Sequence, residues 1–299
     1  MKVSGKLSAL TLALLVGVLA VGCGGGGDVG SKSLKLGVAG GWDENIVIAN
    51  LTKVLLEDEL GYDSVEIQTL GLDLVFEGVG NGELDAFQDV WLPNHEENLS
   101  EVEDNVVKLD NWYLGQTEFG IAVPTYVADI ASIPELNQTN IDQILGIEPG
   151  AVIMERIPEE TIPAYDLNQS LVESSTQAML SEVESRYSNQ EPFAFVAWRP
   201  HWMNQVYEFK YLEDPEDTLG KLNDSSEISS IVNEDVPDEH PVAYAFMQEL
   251  TLTEEQVNEI EVLIRESDDD AEAGVRDWLE DNREAVEPWI EAANAARES

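Results

Sequence analysis

The 299-residue sequence has little positive charge and few cysteines or histidines. It contains 15 Lys and Arg against 60 Asp and Glu, so its formal net charge is −45. Phosphate backbones and anionic membrane surfaces repel such a polyanion, which excludes nucleic-acid binding. A single cysteine rules out a disulfide within the chain, and no Cys/His cluster has the spacing of a zinc site. We therefore expect no metal and no other cofactor.

The sequence also lacks recognisable catalytic patterns. Only three histidines are available for acid–base chemistry, and nucleophile-elbow and phosphate-loop patterns are absent. Carboxylate pairs are too frequent among 60 acidic residues to indicate a catalytic pair. We therefore predict that the protein is not an enzyme. Its 43% hydrophobic residues are enough for a core, which indicates one large or two ordinary folded domains.

A short apolar run stands at the N-terminus, and no later run is long enough to span a bilayer. Lys2 and Lys6 precede an apolar stretch at residues 7–21, and a glycine tract follows at residues 24–27. An apolar run this short, followed by a flexible linker, is typical of an export signal rather than of a permanent transmembrane helix.

The end of this run resembles a lipoprotein processing site. Residues 1–22 would be the signal peptide, Cys23 would be lipidated, and residues 23–33 would contain the lipidated cysteine and a flexible tether. We expect an extracytoplasmic protein that is anchored to the cell membrane only through this lipid. The alternative is an ordinary secreted protein with a chance cysteine.

The body of the chain alternates between strand and helix patterns. Residues 34–38 predict a strand, and Asp43 could cap a helix that extends to about residue 57. The remaining predicted elements are strands at 65–67, 84–92, 119–123 and 193–197, and helices at about 74–80, 171–187, 254–266 and 273–294. This alternation predicts an α/β fold with a largely parallel sheet.

Tryptophans follow several of the predicted strands. Trp42 stands in the turn after the first strand, Trp91 ends another strand, and Trp198 and Trp202 follow a third. In open α/β sheets, ligands bind beyond the carboxyl ends of the strands, so these rings are predicted to line one cleft. The alternative is that they are scattered core residues.

Converging aromatic faces attract a cation that donates no hydrogen bond, such as a quaternary ammonium group. A second anchor is predicted where Pro149 and Gly150 form a turn that opens a short helix. The free backbone amides near Val152 and Ile153 would bind a carboxylate. The alternative is a plain helix start whose amides bind water.

These blocks resemble the substrate-binding lipoproteins of glycine betaine/proline betaine ABC transporters, over almost the whole mature chain. The matching blocks are Gly41-Trp42-Asp43-Glu44-Asn45 and residues 86–95, 146–154, 198–203 and 210–215. The resemblance implies an α/β, two-lobed periplasmic-binding-protein fold (Venus-flytrap, type II-like) with a hinge between the lobes. Lobe one would comprise residues 34–122 and 226–299, and lobe two residues 123–225.

The resemblance also implies a set of ligand-binding residues. The implied cation cage is Trp42, Trp91 and Trp202, and the implied carboxylate site is the backbone of Val152 and Ile153 with assistance from His95. Trp198 and His201 are predicted to shape the loop that carries the third cage residue rather than to form the primary site.

The function implied is an extracytoplasmic substrate-binding protein of an ABC importer for glycine betaine or a related quaternary-ammonium osmolyte. It would act as a monomer with an ABC permease and its ATPase. A choline or carnitine receptor of the same fold is the alternative, because Asp43 and Glu44 could place a carboxylate near the head group. A non-transport surface lipoprotein would not account for the strand-end tryptophans.

The excess of acidic residues predicts a protein that works in concentrated salt, where like charges are screened. A solvated acidic surface in an ordinary medium is the alternative.

Overall fold

The computed structural model describes residues 32–127, 129–223 and 225–297. The predicted signal peptide and Cys23 lie outside the described residues, as does nearly all of the predicted tether. Within the described part of the chain, no helix has the length and apolar character needed to cross a membrane.

In the part of the chain that the structure describes, ten strands form two five-stranded sheets. In chain order they are β1 (Ser33–Ala39), β2 (Ser64–Leu70), β3 (Ala86–Leu92), β4 (Val106–Asn111), β5 (Glu118–Pro124), β6 (Gln143–Leu145), β7 (Ser170–Val172), β8 (Ala194–Arg199), β9 (Phe209–Tyr211) and β10 (Glu227–Asn233). The first sheet has the order β2-β1-β3-β10-β4, and the second has the order β7-β6-β8-β5-β9.

Helices flank both sheets, so the fold is α/β and two-lobed. In chain order they are α1 (Asp43–Asp58), α2 (Leu72–Gly80), α3 (Glu96–Val102), α4 (Val152–Arg156), α5 (Ile162–Ala164), α6 (Thr176–Ser188), α7 (Met203–Val206), α8 (Val236–Glu239), α9 (Pro241–Glu249), α10 (Glu254–Glu266), α11 (Ala271–Asp281) and α12 (Arg283–Ala296). A π-helical turn (Ile157–Thr161) joins α4 to α5. We call the first sheet and its helices lobe one, and the second sheet and its helices lobe two.

Both sheets are mixed rather than largely parallel. In lobe one, β1 pairs in parallel with β2 and β3, whereas β10 is antiparallel to β3 and β4. In lobe two, β6 pairs in parallel with β7 and β8, whereas β5 is antiparallel to β8 and β9. Antiparallel pairing arises where the chain changes lobe, since β5 enters lobe two and β10 returns to lobe one.

The predicted lobe boundary between residues 122 and 123 falls inside β5, both of whose partner strands belong to lobe two. The first crossing between the lobes therefore lies before Glu118. The two crossing segments lie side by side: the Thr117 hydroxyl accepts a hydrogen bond from the Ser226 amide (2.6 Å) and donates one to the Ser226 carbonyl (3.0 Å). These paired segments are where the hinge is expected.

Two predicted helices differ from the observed elements. The helix predicted at residues 171–187 begins later than expected, because its first two residues belong to β7. Ser175 caps α6 by accepting a hydrogen bond from the Ala178 amide. The pattern at residues 273–294 is two helices, α11 and α12, separated at Asn282. The Asn282 side chain donates to the Trp278 carbonyl (3.0 Å) and so ends the first of them.

The C-terminal helices hold the carboxyl end of α1 in place. Arg276 of α11 pairs with Asp58, and Arg283 of α12 bonds to Glu59 (2.7 Å). Arg297 donates to the carbonyl of Leu60 (2.6 Å). Positive charge near this end is also favourable for the helix dipole. Helix α1 is thus fixed at one end, and its other end begins at the cleft between the lobes.

Candidate ligand-binding site

A cavity of about 30 Å³ lies between the two lobes. Aromatic rings from both lobes line it: Trp42 and Trp91 from lobe one, and Phe119 and Trp198 from lobe two. The other lining residues are Glu44, Asn94, His95, Ile147, Ala151, Val152 and Leu222. Among the described residues that line the cavity, none is Lys or Arg. Its one acidic side chain, Glu44, therefore makes the cavity suitable for a positively charged group.

Strand ends bring these indole rings together. Trp91 is near the end of β3 and Trp198 near the end of β8, while Trp42 is the residue that precedes α1, just after β1. These are the carboxyl ends of strands in the two sheets, where an α/β fold leaves a crevice for ligands. The rings are well buried, with 7%, 5% and 2% of Trp42, Trp91 and Trp198 exposed.

Trp42 contacts lobe two through its indole nitrogen, which donates to the carboxylate of Glu148 (3.3 Å). Glu148 is itself held by the backbone amide (2.7 Å) and hydroxyl (2.8 Å) of Thr176 at the start of α6. Gly40 allows this approach, because a Cβ built at that position would lie 3.2 Å from the Glu148 carboxyl carbon. Its positive φ of 56° also favours glycine.

The next two residues of α1 also bond to lobe two. Asp43 accepts from the Trp202 indole (3.3 Å) and lies 2.9 Å from the His201 ring nitrogen Nε2. Glu44 accepts a hydrogen bond from the Trp198 indole (3.1 Å). Together with Trp42, three consecutive residues at the start of α1 therefore bond to the opposite lobe.

Trp202, a residue of the predicted cage, is not among the residues that line the cavity. Its indole nitrogen faces Asp43, and the guanidinium carbon of Arg265 lies 3.6 Å from the centre of its ring. The ring already interacts with a cation of the protein itself. Trp198 takes the third place around the cavity. The sequence prediction kept Trp198 out of the primary site, although its position near the end of β8 had placed it among the strand-end tryptophans.

His95 lines the cavity but is held mainly by lobe one. Its Nδ1 accepts a hydrogen bond from the Trp91 amide (3.2 Å), and its ring stacks on Trp42 at 6.1 Å between centroids. Burial lowers the pKa of His95 to about 3, so the imidazole is neutral and carries its proton on Nε2. A neutral ring can donate a hydrogen bond to a carboxylate without adding charge.

The predicted carboxylate anchor lies at the start of α4, as the turn pattern indicated. Val152 is the first residue of α4 and lines the cavity, whereas the Ile153 side chain is buried in the core and does not. Neither backbone amide donates to another of the described residues. Any role of Ile153 toward a ligand is therefore that of its amide alone.

Acidic groups surround the cage behind its rings. Asp89 is completely buried, and its carboxylate accepts from the Trp91 indole at 2.8 Å. Burial raises the pKa of Asp89 to about 7, and the Trp91 hydrogen bond opposes this only in part. Burial also raises the pKa of Glu44, and the charge of Asp89 raises it further. Sequence analysis missed Asp89, because a carboxylate inside a buried strand pattern carries no local signal of its partner.

Replacing Trp202 with alanine tests its position outside the cavity. The change removes contacts that hold the lobes together, so ligand affinity should fall about 3- to 30-fold, equivalent to about 0.5–2 kcal/mol. The ratio of affinities for glycine betaine and choline should stay unchanged, because the ring does not line the cavity. Calorimetric titration with both compounds measures this ratio. A changed ratio of affinities would indicate that the Trp202 ring contacts the ligand. The control is Trp202→Phe, which keeps an aromatic ring for the stack with Arg265.

Two lobes, a hinge of paired segments and an aromatic cavity between them define a two-lobed ligand-binding protein of the periplasmic type. Residues 32–281 match the model of the family described as the substrate-binding domain of ABC-type glycine betaine transport systems. The chain belongs to this family, whose members are the substrate-binding components of transporters.

Two relatives are informative. The glycine betaine/carnitine transport binding protein GbuC of Listeria monocytogenes is 30% identical over 151 residues, which cover 50% of this chain and 49% of that protein. The match thus spans about half of the length of this curated relative. Lactococcal OpuAC, solved in a closed conformation with glycine betaine, is 28% identical with a TM-score of 0.77, covering 87% of this chain and 99% of that one.

A third similarity concerns the fold alone. An ABC-transporter choline binding protein, solved in complex with choline, is 23% identical with a TM-score of 0.78. The match covers 89% of this chain and 96% of that one. Receptors whose solved complexes hold glycine betaine or choline therefore share this architecture.

Proposed function

We propose that this protein is the extracytoplasmic receptor of an ABC importer and that it binds glycine betaine or a related quaternary-ammonium osmolyte. The observation that carries the proposal is the convergence of three indole rings, from both lobes, on a cavity whose described lining residues include no Lys or Arg. A trimethylammonium group donates no hydrogen bond and is recognised by aromatic faces, each of which contributes about 0.5–2 kcal/mol.

In this proposal the ammonium group lies among Trp42, Trp91 and Trp198. The carboxylate of the ligand accepts hydrogen bonds from the amides of Val152 and Ile153, and neutral His95 assists. Hydrogen bonds to a charged acceptor are stronger than those between neutral groups, so the bonds to the ligand carboxylate contribute to the binding free energy. Phe119 closes the apolar wall between the rings.

Ligand binding favours the closed form because the cage is complete only when both lobes contribute their rings. The permease and its ATPase would recognise this closed form. The protein acts as a monomer held to the membrane by the lipid on Cys23, and it catalyses no reaction. The lobes would comprise residues 32–117 with 226–297, and residues 118–225.

Choline is the second candidate ligand, and one observation favours it. Glu44, only 2% exposed, is the acidic side chain that lines the cavity, beside Trp42 and bonded to Trp198. A carboxyl group close to the cage suits a ligand with a net positive charge. Choline offers the same head group as glycine betaine but ends in a hydroxyl, so the amides at α4 would no longer face a charge.

Calorimetric titration with glycine betaine, choline, carnitine and glycine, at one fixed high salt concentration, tests the proposal. Glycine betaine should bind in the micromolar range, and glycine, which lacks the three methyl groups, should show no measurable binding. Choline should bind about ten- to a hundred-fold more weakly, since it loses the charge-assisted bonds. Choline binding as tightly as glycine betaine would make this a choline receptor, and no binding of any quaternary ammonium compound would refute the proposal.

A further inference from the structure

Three carboxyl groups are buried together behind the ligand cavity. They are Glu44 of α1, Asp89 of β3 and Glu261 of α10, whose side chains are 2%, 0% and 1% exposed. We call them the carboxyl trio. Glu44 is the link between the trio and the cavity, because it lines the cavity and the charges of the other two act on it.

The trio has few partners inside the protein. The Trp198 indole donates to Glu44, and the Trp91 indole donates to Asp89. The second oxygen of Asp89 and both oxygens of Glu261 accept no hydrogen bond of good geometry from the described residues. No Lys or Arg among the described residues forms an ion pair with any of the three.

The charged groups near the carboxyl trio do not neutralise its negative charge. Asp43 adds a further negative charge beside Glu261 and is itself bonded to His201. Arg265, four residues after Glu261 on α10, lies over the ring of Trp202. The chain thus places acidic groups from α1, β3 and α10 in one buried region, and the nearby Arg199 pairs with Glu254 (3.5 Å) rather than with any of the three.

Burial and mutual repulsion favour the protonated form of such a cluster. Burial raises the pKa of all three carboxyl groups; the charge of Asp89 adds to the effect on Glu44, and that of Asp43 to the effect on Glu261. The backbone amide of Trp202 opposes the shift of Glu261 only in part. Because the groups act on one another, their protons belong to the cluster rather than to single residues.

We infer that the carboxyl trio is the counter-charge of the bound ligand, and that a permanent cation entering the cavity expels a proton from it. The inference rests on the proposed function, since the ligand must bring a fixed positive charge next to Glu44. On binding, a carboxyl O–H bond ionises, the electron pair stays on the carboxylate and the proton passes to the buffer. No other reactant is needed.

The sign of the pH dependence follows from this balance. The free protein holds more protons than the complex, so ligand affinity rises with pH until the trio of the free protein is ionised, and then becomes constant. The affinity should therefore fall up to about tenfold per unit of pH below about pH 7. A cation without a carboxylate, such as choline, should release more protons than zwitterionic glycine betaine, whose own negative charge offsets part of the effect.

Calorimetric titration of the full-length protein at pH 7, in buffers with different ionisation enthalpies, counts the protons directly. The apparent binding enthalpy of glycine betaine should change linearly with the buffer enthalpy, with the sign of proton release, and the slope for choline should be steeper. Equal enthalpies in all buffers would overturn the inference while leaving the proposed function intact. Failure of both compounds to bind would instead refute the proposed function.

Two variants locate the released proton. Glu44→Gln and Asp89→Asn should each lower the number of protons released and flatten the pH profile of affinity. Asp89 does not line the cavity, so Asp89→Asn keeps the test valid if Glu44→Gln disrupts the cage. Glu97→Gln, an exposed change on α3, is the matched control and should release as many protons as the wild type. Unchanged proton release in both trio variants would contradict the assignment.

Discussion

Replacing Trp198 with alanine should weaken glycine betaine binding by about 30- to 5000-fold. The change removes one face of the cage, and it removes the indole N–H that bonds to Glu44 across the cleft. The lost aromatic contact costs about 1–2 kcal/mol, and the buried carboxyl group left without its donor costs about 1–3 kcal/mol more. Calorimetric titration at high salt measures the change in affinity.

Two further variants separate the causes of this loss. Trp198→Phe keeps an aromatic face but no donor, so its affinity should lie between those of the wild type and the alanine variant. Trp278→Phe changes an equally buried tryptophan of α11, and it should lower stability while leaving affinity unchanged. If Trp198→Ala bound like the wild type while Trp202→Ala lost binding, the cage would contain Trp202 as the sequence first indicated.

Raising the salt concentration from low to molar NaCl should raise the melting temperature of the protein by roughly 10 °C or more, which corresponds to about 4 kcal/mol for a domain of this size. The 15 basic residues can neutralise only a minority of the 60 acidic ones, so most carboxylates repel one another across the surface. Salt screens this repulsion, and screening acts more strongly on the folded state because its charges are closer together.

A thermal melt followed by circular dichroism, with NaCl as the variable, measures this dependence. Sucrose stabilises proteins by exclusion from their surface but screens no charge, so it is the control for a general solute effect. We expect the steep part of the profile to be specific to salt. A melting temperature that stays level across the NaCl series would show that the acidic surface needs no screening.

Elements with strong local signals could be predicted closely from the sequence. Helix α10 covers the predicted residues 254–266, because Thr253 and Gln256 form a capping box at its start and its apolar residues repeat at helical spacing. The predicted helix at residues 43–57 corresponds to α1, although Trp42 rather than Asp43 precedes its first turn and no side chain caps it. The two-lobed architecture came from the family resemblance rather than from such local patterns.

Features that depend on distant contacts could not be predicted. Strands β6 and β7 have three residues each, and their pairing with one another and with β8, not their own sequence, defines them. The choice between Trp198 and Trp202 depended on Arg265, which lies far along the chain on α10. The bond between Glu44 and Trp198 joins residues 154 positions apart, and a sequence pattern contains no information about such packing.

The three bonds from the start of α1 to lobe two have a consequence for how this chain can diverge. Trp42, Asp43 and Glu44 are consecutive, and each reaches a different partner. Because each residue added to a helix turns it by about 100°, one deletion or insertion in the short turn after β1 would misdirect all three side chains at once. A substitution at one of these residues removes only the hydrogen bonds of that residue, whereas a change in the length of the turn removes the hydrogen bonds of all three residues. We therefore expect the length of this turn to be constrained more strictly during evolution than the identity of any one of the three residues.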